Sequence, residues 1–403
     1  MESTINSKRT MYTIENMTKD RYGLYAKGLE ENNPVWSDEL RAWLIFEYDL
    51  VNTYLKDSRF SANRKKNFID QLDITDKQKD ELFSFYSRWL MYMDGPEHRE
   101  TRKSIQKPIN NLNMVSKDVA KNAAIKVINA LVEEEVDIIN CCEDIAIPFT
   151  NEVLSQNLGL NIEDYQNILY EATNAVSFLW NPSPTQLEVE ETIASIEKTY
   201  SIISEIVTAK RFYEGKLLDN IIKSVGLNKD GLSLIVNVAI DGHEPFLSTV
   251  KSFLYYYVEC FSQHANVLTS VPIEGLVNEV LRLEAPFPYC ARVAVEDLKI
   301  GGCEIKSGSR VIFLISAANR DPKHHQTANC PHYDTSKTSL LTFGAGAHYC
   351  PGAALTKKSI EEFAIQFISA YEEKKLGILE QSWNDTFGFR TLDKLSVQVK
   401  GER

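Results

Sequence analysis

A ten-residue segment near the C-terminal end constrains this chain more than any other feature. It reads Phe-Gly-Ala-Gly-Ala-His-Tyr-Cys-Pro-Gly over residues 343–352. Two glycines one residue apart permit a backbone turn that other residues resist. The sequence after Cys350 is typical of a helix, with Pro351 at its first position, so we expect the Cys350 sulfur at a helix N-terminus. The helix dipole and the free amides there favour the thiolate over the thiol.

The number and spacing of the cysteines argue against a disulfide framework and against a zinc site. A cysteine before a helix is, on its own, more often a buried structural residue than a ligand. The seven cysteines form an odd number scattered along the chain, which does not suggest a disulfide framework, and no C-x-x-C pair suggests zinc. We therefore expect most of them to be small core residues, with Cys350 as the exception.

Composition excludes some classes of function. The chain has 403 residues, of which 43% are apolar and 25% charged, as is usual for a globular protein. Its net charge of −12 argues against nucleic acid as a partner. No run of about 18 apolar residues suggests a membrane span, and the first residues lack the apolar stretch of a secretory signal. We expect a cytoplasmic protein with a single domain over 1–403, because no repeat or linker interrupts it.

Periodicity indicates a mainly α fold with a minor β portion. Helical patterning dominates from about residue 75 to 285, and the longest and most apolar candidate helix runs from about 231 to 264. Short strand patterns cluster over 43–46 and over 292–315, where Gly-Gly and Ser-Gly pairs separate them.

The complete Phe-Gly-x-Gly-x-His-x-Cys-x-Gly spacing resembles the signature of the cytochrome P450 family. Glu279-Val-Leu-Arg282 matches the Glu-x-x-Arg motif of that family, and the segments 318–322 and 94–102 match two further ones. The resemblance covers nearly the whole chain. It implies the cytochrome P450 fold, in which haem b lies between a long distal helix and the helix that follows the cysteine loop, with the Cys350 thiolate as the iron ligand.

Further haem-binding residues are implied by the same resemblance. They are His98, Arg102, Arg292, Phe343, Gly344, His348 and Gly352, the four basic ones facing the haem propionates. Glu279 and Arg282, three residues apart on a helix, would lock the scaffold of the cysteine loop by an ion pair. Lys337 stands where many bacterial members carry arginine. Since lysine cannot form a planar bidentate pair, we expect a looser network.

The distal helix departs from the family pattern. Asp241-Gly-His-Glu-Pro245 aligns with Ala-Gly-x-Glu-Thr, so that Asp241, Gly242, Glu244 and Pro245 are the candidate catalytic residues. Proline has no N–H and should kink the helix at Asp241. Two interpretations remain open. Pro245 either preserves the kink while water delivers protons, or it marks altered oxygen chemistry in which Asp241, Ser248 or Thr249 partly replaces the missing hydroxyl.

Aromatic and basic residues suggest the remaining surfaces. By resemblance, the substrate pocket is lined by Trp89, Trp180, Phe246, Phe287, Tyr289 and Phe387, although such residues also form ordinary cores. Basic side chains beside the cysteine loop would dock an acidic ferredoxin or flavodoxin, unless they are simply solvated lysines and arginines. These are Arg99, Lys103, Lys107, Lys357 and Lys358.

The resemblance implies a monomeric haem-thiolate monooxygenase that uses O2 to oxidise, most simply to hydroxylate, a small organic substrate. That substrate could belong to specialised metabolism or be presented by a carrier protein. Electrons would come from NAD(P)H through a separate ferredoxin or flavodoxin. An atypical member that performs oxidative coupling, desaturation or peroxide-driven chemistry is an alternative, because of Pro245. A non-catalytic haem-binding sensor is a remote one.

Overall fold

The computed structural model describes residues 10–112, 116–181, 183–263, 271–325, 327–331, 339–384 and 386–402. Helices dominate, as the sequence predicts. The α-helices, numbered in chain order, are α1 (Ile14–Lys19), α2 (Arg21–Glu30), α3 (Tyr48–Tyr54), α4 (Lys65–Asp70), α5 (Asp76–Tyr86), α6 (Gly95–Leu112), α7 (Ser116–Glu133), α8 (Ile147–Leu158), α9 (Ile162–Glu171), α10 (Thr173–Trp180), α11 (Gln186–Thr208), α12 (Leu217–Val225), α13 (Lys229–Ile240), α14 (His243–Glu259), α15 (Ile273–Leu283), α16 (Ile315–Ala318) and α17 (Ala353–Tyr371).

The minor β portion forms three small sheets. The strands are β1 (Val35–Ser37), β2 (Ala42–Ile45), β3 (Phe60–Ser61), β4 (Ile138–Asn140), β5 (Cys290–Ala294), β6 (Leu298–Ile300), β7 (Cys303–Ile305), β8 (Arg310–Phe313), β9 (Lys374–Trp383) and β10 (Leu392–Glu402). They pair in the orders β1-β2-β8-β5-β3, β4-β10-β9 and β6-β7, and β2 with β8 is a parallel pair.

Both predicted strand regions are confirmed, whereas the longest hairpin is missing from the prediction. The region 43–46 corresponds to β2, and 292–315 contains parts or all of β5 to β8. The β9–β10 hairpin escapes detection because β9 is mostly exposed or half-buried and carries polar residues on both faces. Without one buried face there is no clean apolar alternation for periodicity to detect.

The predicted continuous helix from 231 to 264 is wrong. The structure contains α13 and α14, separated by a break at Asp241 and Gly242, and α11 with 23 residues is longer than either. Pro245 cannot donate a hydrogen bond to the Asp241 carbonyl, and glycine is a poor helix former, so the predicted kink becomes an interruption. Residue 264, the expected end, lies outside the described residues.

The largest apolar core lies between α8, α14 and α17, the helix that follows Cys350. Phe149 of α8, Phe253 of α14 and Phe363 of α17 meet there, with the Phe149 and Phe363 ring centroids 4.7 Å apart. Within the described residues, none of the helices combines the length and the apolar composition that a bilayer crossing requires.

A buried ion pair joins this core to the cysteine loop. The Arg282 guanidinium donates to both Glu279 carboxylate oxygens, at 3.0 and 2.8 Å, and each of the two residues is 1% exposed. Its remaining N–H groups donate to the backbone carbonyls of Asn319, Thr327, Ala328 and Cys330. The predicted pairing is therefore confirmed, and Lys337 lies outside the described residues.

We expect Arg282→Met to lower the free energy of unfolding by about 3–5 kcal/mol, because it leaves the Glu279 carboxylate buried without a partner. Urea denaturation of the haem-loaded protein measures the change. Arg59→Met is the matched control, since Arg59 pairs with Asp57 at the surface and such pairs contribute little. Equal destabilisation by the two substitutions would contradict the prediction.

Candidate active site

The cysteine loop is a closed turn that depends on its two glycines. Gly344 and Gly346 have φ angles of 70° and 69°, in the left-handed region that the sequence predicts. A Cβ at Gly346 would also lie 3.0 Å from the Lys56 Cα, so the loop packs closely against the end of α3. The Cys350 amide donates to the Phe343 carbonyl at 2.9 Å, which closes the loop below the sulfur.

The helix after the cysteine begins later than predicted. Pro351 and Gly352 form a turn, Gly352 is the N-cap, and α17 starts at Ala353, so Pro351 is not the first helical residue. The amides that reach the sulfur are those of Gly352 and Ala353, and both act to lower the Cys350 pKa. The sulfur therefore lies at the helix N-terminus as expected, with the donors two and three residues further on.

Burial decides the protonation of this sulfur. Burial raises the pKa of Cys350 to about 11, because its effect is larger than the lowering of the pKa by the two amides. The charge of Asp241 also raises the pKa. The two amides thus favour the thiolate, as the sequence predicts, but in the bare protein desolvation of the anion costs more than their two hydrogen bonds return. A cation at the sulfur, such as a bound metal, would provide the missing stabilisation and displace the proton.

Four basic side chains predicted from the sequence come together beside the loop. The His98 and His348 rings have centroids 4.3 Å apart, and an Arg102 Nη donates to the Tyr349 carbonyl at 2.6 Å. Arg292 of β5 is buried near them, and its nearest described acceptor is a backbone carbonyl, that of Ala291. The His98 Nε2 is buried with no hydrogen-bond partner among the described residues.

The cluster carries more positive charge than the protein neutralises. Burial, and then the charges of His348 and Arg102, lower the pKa of His98 to about 4. Asp94 lies 3.7 Å from the His348 Nε2, and although burial opposes it, hydrogen bonds from His348 and Ser61 hold the Asp94 pKa well below its usual value. Neither Arg102 nor Arg292 forms an ion pair with a carboxylate in the described part of the chain. An orphaned imidazole and two unpaired arginines suit an anionic group such as the two propionates of haem.

Arg64 is a further member of the cluster that the sequence does not predict. It donates to the Ala291 carbonyl at 3.3 Å, and its charge acts on Arg292. The stretch Arg-Lys-Lys over 64–66 looks like a solvated basic run, and only the β5 contact distinguishes its first residue. No signal in the sequence connects residues so far apart in the chain.

The break in the distal helix faces the sulfur. Asp241 accepts a hydrogen bond from the Asn237 side chain at 3.3 Å, and its charge reaches Cys350. A Cβ at Gly242 would meet nothing within 4 Å, so open space adjoins the break. Burial raises the Asp241 pKa to about 6. The break thus adjoins open space, and its carboxyl interacts electrostatically with the Cys350 sulfur.

The hydroxyls one turn after Pro245 are already engaged. The Ser248 hydroxyl donates to the Arg390 carbonyl at 2.6 Å, and the Thr249 hydroxyl donates to the Pro245 carbonyl at 2.8 Å. Glu244 is exposed, and its surroundings raise its pKa by desolvation. Asp241 is therefore the candidate proton-carrying group that faces the open space at the break.

The predicted pocket residues lie in different environments. Phe287 contacts Phe389, with ring centroids 5.4 Å apart, and Tyr289 stacks on Phe387 at 4.7 Å. The structure thus brings the aromatic segments 287–289 and 387–389 together, as expected of a pocket wall.

Two of the other three pocket candidates are buried in apolar cores. Trp89 is fully buried against Phe85, and its indole N–H has no described partner. Phe246 stacks on Phe149 in the largest core. The backbone of Trp180 ends α10, but its side chain lies outside the described residues.

The predicted basic surface flanks the cysteine loop. Arg102 and Gln106 of α6 both donate to carbonyls of the loop, those of Tyr349 and Pro351, so α6 lies beside it. Lys357 lies over the Phe343 ring, 5.7 Å from its centroid. The other four basic residues are exposed: Arg99, Lys103, Lys107 and Lys358.

Comparison with known proteins agrees with this geometry. The Cytochrome P450 family model matches residues 273–381. The chain is 24% identical over 371 residues to a biotin biosynthesis cytochrome P450 of Bacillus subtilis, covering 88% of this chain and 89% of that protein. It is also 24% identical over 404 residues to the 6-deoxyerythronolide B hydroxylase of Saccharopolyspora erythraea, covering 95% and 96%.

Solved structures agree on the fold. A crystal structure of P450BioI in complex with a fatty acid-ligated acyl carrier protein superposes with a TM-score of 0.82 at 21% identity, covering 95% of this chain and all of that one. At this identity the likeness establishes the fold alone. The fold, the family model and the relatives agree on one conclusion: the chain has the cytochrome P450 fold and is similar to bacterial cytochrome P450 proteins, among them ones named as a hydroxylase and a monooxygenase.

Proposed function

We propose that the protein binds haem b with the Cys350 thiolate as the iron ligand and uses dioxygen to hydroxylate a small organic substrate. The observation that carries this proposal is the open space at the helix break, whose Asp241 carboxyl interacts electrostatically with the Cys350 sulfur. When bound, the haem supplies the iron that activates dioxygen. His98, Arg102, Arg292, His348 and Arg64 hold its propionates.

The proposal extends to substrate class and partners. Several relatives carry names from specialised metabolism, among them a luteothin monooxygenase and a polyketide biosynthesis cytochrome P450, which supports a specialised metabolite as substrate. The carrier-protein complex of P450BioI supports a carrier-presented substrate as a variant of this idea. The basic residues beside the cysteine loop suit an acidic ferredoxin or flavodoxin, and the chain acts as a single-domain monomer.

The ligand assignment predicts the spectrum of the carbonyl complex. The reduced haem-loaded protein should give the absorption characteristic of thiolate ligation, and Cys350→Ala should abolish it, because the described residues place no other sulfur at the loop. Cys303→Ala is the control, since that sulfur lies in β7 and contacts the Pro34 carbonyl instead. A thiolate-type spectrum that survives in Cys350→Ala would rule out the assignment.

Altered oxygen chemistry is a second candidate, and the engaged hydroxyls favour it. Ser248 and Thr249 donate to backbone carbonyls, so neither has a proton free to replace the hydroxyl that Pro245 lacks. Coupling, desaturation or peroxide-driven turnover would follow if proton delivery were too poor for efficient hydroxylation.

Pro245→Thr tests this second candidate. The new hydroxyl should raise the product formed per NADPH consumed and lower peroxide release, because it adds a proton donor at the break. Product analysis and peroxide assay with a reconstituted redox chain measure both quantities. Unchanged product, rate and peroxide release would mean that Pro245 only preserves the break and that water delivers the protons.

Asp241 gives the reaction a pH dependence of known sign. With a pKa raised to about 6, its carboxyl is protonated below that value and charged above it. Its protonated fraction therefore falls about tenfold for each pH unit above the pKa. We expect the product formed per NADPH to decline from about pH 5 to about pH 8, and Asp241→Asn to lower the yield at the acid end and flatten the profile.

Asp230→Asn is the matched control for that experiment. Asp230 lies in the first turn of the same helix, α13, and forms an exposed ion pair with Arg88. It should leave the profile unchanged. An undiminished pH dependence in Asp241→Asn would exclude Asp241 as the proton-carrying group.

A further inference from the structure

Lys65 is a buried cation surrounded by aromatic rings. It begins α4 and is 6% exposed, although lysine is almost never buried without a partner. Its Nζ lies 4.6 Å from the ring centroid of Phe68, 4.7 Å from that of Phe178, 5.0 Å from that of Tyr86 and 5.8 Å from that of Tyr92. These four rings form what we call the aromatic box.

No anion neutralises this ammonium group. Within the described residues, Lys65 forms neither a hydrogen bond nor an ion pair, and burial followed by the charge of Arg64 lowers its pKa to about 7. Ring faces recover only part of the lost hydration of an ammonium group. Lys66, next in the chain, makes the contrast clear, because it is 54% exposed and pairs with Asp70 at 2.7 Å.

The aromatic box lies on the distal side of the molecule. Tyr86 stacks on Phe178 of α10, and the Leu90 amide donates to the Asn237 side chain of α13, which ties this segment to the distal helix. Burial raises the Tyr92 pKa to about 12; the charge of Arg64 opposes this effect and the nearby charge of Asp241 adds to it. The box is therefore close to the helix break.

Lys65 and Arg64 share one ring of the box but otherwise have different contacts. Arg64 contacts the Ala291 carbonyl, beside Arg292, and lies over the Tyr92 ring, 4.8 Å from its centroid, whereas the Lys65 side chain extends to Phe178 and Tyr86. The Tyr92 hydroxyl also has no hydrogen-bond partner in the described part of the chain. Two donors without a described acceptor, the Lys65 ammonium and the Tyr92 phenol, thus belong to the same aromatic box.

We propose that Lys65, assisted by the Tyr92 hydroxyl, binds a carboxylate group of the substrate. A single ammonium matches a monoanion, while a dianionic phosphate would leave excess charge buried in the box. The rings of the box contact the apolar part of the same substrate next to its carboxylate. This assignment rests on the proposed function, because it requires the space at the break to be the substrate site.

Calorimetric titration of the haem-loaded protein tests the assignment. The probes are ω-phenylalkanoic acids from phenylbutyric to phenyldecanoic acid, each compared with its methyl ester. The wild-type protein should bind the best acid at least about tenfold more tightly than its ester. Lys65→Met should abolish this preference while leaving ester affinity within about threefold, and Lys65→Arg should retain it.

Lys66→Met is the matched control and should keep the acid preference. Because the pair would be buried, the preference should also persist in about 0.5 M sodium chloride. Lys65→Gln replaces Lys65→Met if the latter does not fold. A wild-type protein that binds no acid of the series more tightly than its ester, or a preference that survives in both neutral variants, would overturn the proposal.

Two further outcomes distinguish this proposal from a role of Lys65 in haem binding and from failure of the proposed function. Loss of haem from Lys65→Met would overturn it, since the ammonium would then serve a propionate. The carbonyl complex is recorded for every variant. A missing thiolate spectrum in the wild-type protein would refute the proposed function itself, whereas a normal spectrum without acid preference refutes only the role of Lys65.

Discussion

The buried guanidinium of Arg282 is the interaction on which the geometry of the site depends. It fixes the Asn319 carbonyl at 3.0 Å, and the Asn319 side chain in turn accepts from the Leu341 amide and donates to Thr342. The Thr342 hydroxyl donates back to the Leu281 carbonyl beside Arg282. A closed circuit of hydrogen bonds thus joins α15 to the base of the cysteine loop. Since unpaired buried charges are costly, this circuit holds the loop in one position before any cofactor binds.

The Cys350 thiol and the basic cluster beside it are electrostatically complementary to haem. Burial keeps the Cys350 thiol protonated, and it leaves Arg102, Arg292 and the His98 imidazole without an anion. Both features are unfavourable in the bare protein. A group that carries a metal cation at its centre and carboxylates at its edge would relieve both at once. Part of the affinity for the cofactor therefore comes from giving partners to basic groups and a thiol that lack them in the bare protein.

The sequence predicts those parts of the site that are encoded locally. The two glycines of the loop, the Glu279–Arg282 pair and the kink before Pro245 each depend on neighbouring residues, and the structure contains all three. The two-residue offset of α17 and the protonated sulfur could not be predicted, because they depend on the balance between burial and a few amides. The burial of Arg64 and Lys65 could not be predicted from the sequence for a different reason. In a run of basic residues, only tertiary packing distinguishes a solvated side chain from a buried one.

The helix break and the aromatic box have a common consequence for substrate position. Pro245 interrupts the hydrogen-bond ladder, which leaves Asp241 at the end of α13 with its carboxyl beside the open space. Lys65 and Tyr92 belong to the aromatic box, and Tyr92 is close enough to Asp241 for the charge of that carboxylate to raise the Tyr92 pKa. A carboxylate held at Lys65 would therefore favour the protonated form of Asp241, because two anions repel each other in a region of low dielectric. The apolar part of such a substrate would extend along the rings of the box to the open space at the break, where oxidation is proposed to occur.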